Sequence, residues 1–240
     1  MPEVIIPGPE GRIEGRYHKA DEKGAPIALI LHPHPLYGGT MNNKIVYQLY
    51  QSFARAGFSV LRFNFRGVGR SLGKFDDGLG ELTDAAAGLD WLQQQNDGAS
   101  HCWIAGFSFG AWIALQLLMR RPEIEGFISI SPPANMYDFG FLSPCPAHGL
   151  ILQGDRDDIV QEPSVSQLVG KLNAQKGLKV DYKVVEGADH YYRNAMEEMI
   201  KEVEDYVAVK SEEFKNRPRV RPDRKRRQLP LDDLPVSKEA

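Results

Sequence analysis

Cysteine is nearly absent from this sequence: Cys102 and Cys145 are the only two among 240 residues. Two thiols make no disulfide framework, and no Cys-x-x-Cys pair offers a zinc or redox site. Two inert thiols in a reducing cytosol are the expected state. Long apolar runs are missing too. Ile27-Ala28-Leu29-Ile30-Leu31 is typical of those present, far short of the roughly 20 residues that cross a bilayer. The opening Met1-Pro2-Glu3-Val4 has no basic region followed by an apolar stretch, so a signal peptide is not expected and a cytoplasmic location is. No internal repeat is visible.

What is present is an ordinary globular mixture, 42% apolar and 25% charged, in a chain long enough to bury one sizeable core. The net charge of -3 hides an asymmetry. Residues 215–227, KNRPRVRPDRKRR, carry +7, residues 228–240 carry -2, and the body before them carries -8. The expected organisation is a folded domain over 1–210 and a basic, disordered tail over 211–240, broken up by Pro218, Pro222 and Pro230. The tail lacks interleaved aromatics and any folded nucleic-acid motif, so nucleic acid is not the expected partner. A small acyl compound is, and the sequence is compatible with a homodimer.

Strands and helices alternate along the domain. Gly11 to His18 reads as an edge strand. A continuous apolar run predicts a buried strand at Ala25–Leu31, and further strands are expected at Phe58–Phe65, His101–Ala105, Gly126–Ile130, Gly149–Gln153 and Lys179–Val185. Helical spacing falls at 43–56, 79–95, 109–119, 163–175 and 192–210. Repeated strand–helix–strand units predict an α/β fold with a mostly parallel sheet and helices on both faces. Ligands in such sheets bind beyond the C-terminal ends of the strands.

The candidate chemistry lies at those ends. Gly106-Phe107-Ser108-Phe109-Gly110 has the G-x-S-x-G form, with a buried strand before it and a helix after it. That context lifts a weak pentapeptide into a candidate nucleophile elbow, with Ser108 as nucleophile and the Phe109 N–H as an oxyanion donor. A serine hydroxyl needs a base. His148 begins a strand, the wrong end of the sheet. His190 follows the last strand, at the right end, and is the candidate general base and acid. Asp155, Asp157 and Asp158, after the strand ending at Gln153, compete as the acid that orients it, and the residues alone leave that choice open. Asp189 adjoins His190, but neighbouring side chains point apart, and a capping role is expected.

The loop His32-Pro33-His34-Pro35 follows the first buried strand and should supply a second oxyanion donor. Pro33 and Pro35 have no N–H, which favours the backbone of His34. His32 and His34 alternate, but no Asp, Glu or Cys accompanies them, so no metal and no cofactor is expected. Arg66 and Arg70 suit either an anionic substrate or a turn pinned by arginine hydrogen bonds, the second being favoured. Phe107, Phe109, Met41, Tyr37, Tyr191 and Tyr192 suit either a pocket or packing.

Together the strings Leu31-His32-Pro33-His34-Pro35, Gly38-Gly39-Thr40-Met41-Asn42-Asn43, Arg62-Phe63-Asn64-Phe65-Arg66, G-F-S-F-G, Gly154-x-x-Asp157 and Gly187-Ala188-Asp189-His190 are distinctive. They resemble bacterial α/β-hydrolases near the dienelactone hydrolases and prolyl-oligopeptidase-type esterases, over residues 3–208. The resemblance implies the α/β-hydrolase fold and a serine hydrolase acting on a carboxylic ester, thioester or lactone. It selects Asp157 as the triad acid, since the acid often lies three residues after such a glycine, and holds Asp155 in reserve. Fewer than twenty residues separate the strands ending near Ile130 and beginning near Gly149, so a helical cap does not fit and an open site is expected. The competing expectation is a catalytically silent binding or scaffold protein that keeps the fold.

Overall fold

The structure is a computed structural model that describes residues 2–177 and 179–215. Eight strands form one sheet: β1 (Glu3–Gly8), β2 (Gly11–His18), β3 (Ile27–Leu31), β4 (Ser59–Phe63), β5 (Cys102–Phe107), β6 (Ile124–Ile130), β7 (His148–Gly154) and β8 (Val180–Val185). Among the described residues five α-helices accompany them: α1 (Lys44–Arg55), α2 (Leu79–Gln95), α3 (Phe109–Leu118), α4 (Glu162–Asn173) and α5 (Met196–Lys215). The strand order is β1-β2-β4-β3-β5-β6-β7-β8. β1 and β2 run antiparallel at the edge, and β3 to β8 run parallel. Among the described residues no helix is long and apolar enough to cross a membrane.

The sheet is buried on both faces, which is why its central strands read as continuous apolar runs. One face packs on α2, α3 and α4 through residues such as Leu29, Ile104, Leu89, Ile113 and Val165. The other packs on α1 and α5 through Ile30, Ala105, Leu49, Phe53 and Met199. The chain leaves β3 toward β4 on one side and returns to β5 on the other, so strand order reverses between β3 and β5. The loops after these two strands therefore border a crevice at the C-terminal edge, the usual ligand position in such sheets. Residues 131–147 join β6 to β7 without a helix or strand, so among the described residues no cap domain is inserted at that edge.

Two features depart from the expectations. β1 is an additional strand, paired with β2 from Glu3↔Arg16 to Gly8↔Gly11. Only Ile6 is buried in it, and Pro7 interrupts the pattern, so it carries no periodic signal. The last helix also overruns the domain boundary expected at 210, continuing to Lys215. Phe214 explains this, because its ring stacks on His101 with centroids 4.6 Å apart, and it packs against the core cluster beneath α5. The rest of the expected tail lies outside the described residues.

The string Arg62-Phe63-Asn64-Phe65-Arg66 is a brace rather than a site. Its polar members alternate with buried phenylalanines. Arg62 donates to the Met41 carbonyl and to Asn42 Oδ1, and Asn64 Oδ1 accepts from the Met41 N–H. Arg66 clasps Asp84 through two parallel bonds of 3.0 and 2.8 Å. Arg70 meets Glu14 and Glu3. The turn after β4 is thus held by arginine pairs, the favoured reading of these residues.

Candidate active site

Ser108 sits between β5 and α3 with φ 53° and ψ -121°. A non-glycine residue adopts this region only under constraint from its surroundings. The two glycines of the pentapeptide supply that constraint. A Cβ at Gly106 would lie 2.3 Å from the Gly110 carbonyl oxygen, and one at Gly110 would lie 2.4 Å from that of Leu31 and 2.5 Å from that of His32. The elbow therefore turns sharply and packs directly on the end of β3. The Ser108 N–H is engaged with the Ile130 carbonyl at 2.9 Å. The Phe109 N–H opens α3, where no intrahelical acceptor exists.

Ser108, Asp157 and His190 come together. His190 Nε2 lies 3.2 Å from Ser108 Oγ, and its Nδ1 lies 2.7 Å from Asp157 Oδ2. All three are buried. A carboxylate only accepts, so Nδ1 carries the proton on that side and the neutral ring turns an accepting Nε2 toward the serine hydroxyl. The His190 ring is fixed between Phe107 at 5.0 Å and the edge of Tyr191 at 5.2 Å.

Asp157 is held from several sides. Oδ1 accepts from the Ile159 and Val160 N–H groups at 3.0 and 2.7 Å, and Oδ2 accepts from Gln153 Nε2 at 2.9 Å. Burial pushes the Asp157 carboxyl up. The hydrogen bond and charge of His190, with the bonds from Val160 and Gln153, outweigh it and hold the group below the usual carboxylate range.

The other carboxylates of the region have different partners. Asp155 Oδ1 accepts from the Gly187 N–H at 2.6 Å, and Gly154 approaches so closely that a Cβ there would lie 2.2 Å from the Ala188 carbonyl oxygen. Asp155 thus positions the His190 loop. Asp189 accepts from the Arg193 N–H at 2.9 Å and pairs with its guanidinium at 3.3 Å. His148 begins β7 at the opposite edge. Gln153 was not anticipated as a site residue. Its signal in the sequence is modest: it is the one polar side chain in the apolar run Leu150-Ile151-Leu152-Gln153.

The loop after β3 packs beside the elbow. His34 caps the 3-10 turn Pro35–Tyr37, accepting from the Leu36 N–H through Nδ1 at 3.2 Å, while its carbonyl accepts from the N–H groups of Tyr37 and Gly39. Its ring packs on Tyr37, Phe75 and Phe109 at 4.7 to 4.9 Å, and burial pushes its pKa down. His32 is wholly buried. Its Nδ1–H donates to the Pro33 carbonyl at 2.7 Å and its Nε2 accepts from the Phe65 N–H at 2.9 Å. Both ring nitrogens are therefore used within the protein, and burial drives its pKa down to about 3, against the smaller upward pull of the Pro33 bond. Of the aromatic candidates, Phe107, Phe109 and Tyr192 are core, as is Met41, whereas Tyr37 and Tyr191 are exposed at the edge.

The sheet, the lidless edge and the serine on a strained strand-to-helix turn define an α/β serine hydrolase. The chain belongs to the X-Pro dipeptidyl-peptidase (S15) family, whose model matches residues 17–229. It is 54% identical over 235 residues to the uncharacterized protein RP471 of Rickettsia prowazekii, covering 96% of this chain and 99% of that one. A crystal structure of ATU1826 from Agrobacterium tumefaciens, a protein of unknown function, is 56% identical with a TM-score of 0.87, covering 88% of this chain and 97% of that one. XC6422 from Xanthomonas campestris, described as a serine hydrolase without lid, is 29% identical with a TM-score of 0.78, covering 88% of this chain and 94% of that one.

Proposed function

We propose that the chain hydrolyses carboxylic esters or related acyl bonds (thioesters, lactones) through an acyl-Ser108 intermediate. The observation that carries this reading is the hydrogen-bonded line from Asp157 through His190 to Ser108, at 2.7 and 3.2 Å. His190 Nε2 takes the Oγ proton as Oγ attacks the acyl carbon. The N–H groups of Phe109 and His34 meet the negative charge on the carbonyl oxygen. Collapse expels the leaving alkoxide, which takes the proton from Nε2. Water then attacks the acyl-serine by the same route and releases the acid. Asp157 stays ionised, fixes the tautomer of His190 and stabilises the imidazolium. The chemistry uses no cofactor. The lidless edge supports a short or exposed acyl group.

The test is Ser108→Ala against short p-nitrophenyl esters. Turnover should vanish with the fold retained, and unchanged turnover removes the assignment. A fluorophosphonate probe separates this reading from a silent scaffold, which would leave Ser108 unlabelled in the native protein. The family match favours a second reading, cleavage of peptides after an X-Pro unit, because an acyl-serine route serves amides too. Ala-Pro-p-nitroanilide hydrolysed faster than p-nitrophenyl butyrate would decide for it.

A further inference from the structure

A cavity of about 340 Å³ opens between the starts of α1 and α5, lined by Asn43, Lys44, Ile45, Tyr191, Arg193 and Met196. One side chain, Tyr191, joins it to the candidate active site. The Tyr191 ring packs edge-on to His190 at 5.2 Å, and the Arg193 guanidinium lies 5.1 Å from the same ring's centre. Ile45, Met196 and Tyr191 give the cavity apolar walls. Lys44 and Arg193 give it positive charge.

Among the described residues no carboxylate lines the cavity. The first turn of α1 contains no acidic residue. Glu197 and Glu198 in the first turn of α5 are exposed and lie outside the lining. Asp189 offsets Arg193 at 3.3 Å, and Lys44 still leaves the lining net positive. An apolar wall with two cations suits a carbon stem ending in an anion, and lysine and arginine are the usual recognition groups for phosphate.

The position of the cavity assigns its role, an assignment that rests on the acyl-serine reading above. The rings of His34 and Phe109 pack against Tyr37, Phe75 and Tyr137, none of which lines the cavity. His190 is the group that returns its proton to the departing oxygen, so the space beside His190 receives the leaving group. We infer that the leaving group is a phosphate-bearing alcohol, its stem against Ile45, Met196 and Tyr191 and its phosphate between Lys44 and Arg193. The bond broken is the one between acyl carbon and alcohol oxygen. The proton on Nε2 passes to that oxygen, and the phosphate is untouched.

Hexyl phosphate and hexanol test the cavity without turnover, by calorimetry on the full chain carrying Ser108→Ala. Saturable binding of hexyl phosphate, at least about tenfold tighter than hexanol and weakened by salt, is expected. Lys44→Gln and Arg193→Gln should each weaken it several-fold, and Lys44→Glu should abolish it. Equal binding of the two compounds, or phosphate binding indifferent to all three substitutions, overturns the inference. Turnover then tests the assignment. The unsubstituted Ser108 protein should favour butyryl-glycerol 3-phosphate over butyryl-glycerol, and the ratio should fall in Lys44→Gln and invert toward a choline ester in Lys44→Glu. Phosphate binding with no such preference overturns the leaving-group role. Phosphate binding in a chain that hydrolyses no ester sinks the hydrolase reading and leaves the anion site standing.

Discussion

Gln153 and His190 donate to the same carboxylate oxygen: Gln153 Nε2 lies 2.9 Å and His190 Nδ1 2.7 Å from Asp157 Oδ2. Gln153 also donates to the Val160 carbonyl at 2.7 Å, which ties the strand end to the loop that carries the acid. Replacing it with Leu removes one bond that favours the ionised carboxyl, so the Asp157 pKa should rise. A lost hydrogen bond to a charged group costs about 1.5–3 kcal/mol. The expected outcome for Gln153→Leu is a loss of stability of that order in urea, a lower kcat/KM, and an acid limb of the rate profile displaced to higher pH. A rate profile that does not move would mean that Gln153 serves the loop alone.

Asp157 and Asp155 are two positions apart and should respond very differently. Asp157→Asn keeps the shape but offers His190 an amide in place of a carboxylate, which upsets the tautomer and leaves the imidazolium unsupported. The drop in kcat should be about 10³- to 10⁴-fold. Asp155→Asn weakens one bond to the Gly187 N–H and should cost far less. Steady-state kinetics on both variants decides between the two carboxylates, and a larger loss at Asp155 would reverse their roles.

His32 gives a prediction about acid stability. Its pKa is 6.5 when unperturbed and about 3 in the fold. Between those values the unfolded chain binds a proton that the folded chain refuses, so stability falls as pH falls. The contribution is complete above pH 6.5 and is lost progressively down to about 3, at no more than about 1.4 kcal/mol per pH unit. Asp157, held low in the fold, adds a loss only below the ordinary carboxylate range, as pH falls through its folded value. His32→Gln should therefore flatten the slope of urea stability between pH 6.5 and 4 while lowering stability at neutral pH. An unchanged slope would show that another group governs the window.

Arg66 and Asp84 form a buried pair, with side chains 6% and 1% exposed. Removing one partner strands the other charge away from water, at a cost of about 3–5 kcal/mol. Asp84→Ala should lower the unfolding midpoint sharply. The double change Arg66→Met with Asp84→Leu should be milder, since it leaves no charge behind. Urea denaturation of the two proteins checks this order.

The sheet was legible because its central strands are buried on both faces and so are dominated by apolar residues. Ser108 lies just past such a strand and His190 just past the last strand, which made these two positions legible, whereas the strand before the acid left Asp155, Asp157 and Asp158 open and only the family resemblance singled out Asp157. β1 was not legible, because an edge strand with one buried residue and Pro7 inside it has no pattern to find. The end of α5 was not, because Phe214 sits next to a basic stretch and only the fold brings it onto His101. Gln153 was missed because its task is defined by Asp157, reached through a turn whose geometry depends on Gly154 and Ala188.

The same dependence on distant backbone makes Gly110 the most sensitive position near the nucleophile. A methyl group there would lie 2.4 Å from the Leu31 carbonyl oxygen and 2.5 Å from that of His32. Neither neighbour can yield: Leu31 is hydrogen-bonded in the centre of the sheet, and His32 is fixed through both ring nitrogens. In Gly110→Ala the elbow must therefore back away from β3, taking Ser108 and the Phe109 N–H with it. An ångström of misplacement at reacting groups costs on the order of 10²-fold in rate. The variant should lose ester turnover by at least that factor while fluorophosphonate labelling of Ser108 slows in parallel. Gly38→Ala is the control for close packing, since nothing lies within 4 Å of a Cβ there and only its φ of 78° strains a side chain. If Gly110→Ala and Gly38→Ala behave alike, close packing of the elbow against β3 is not what holds Ser108 in place.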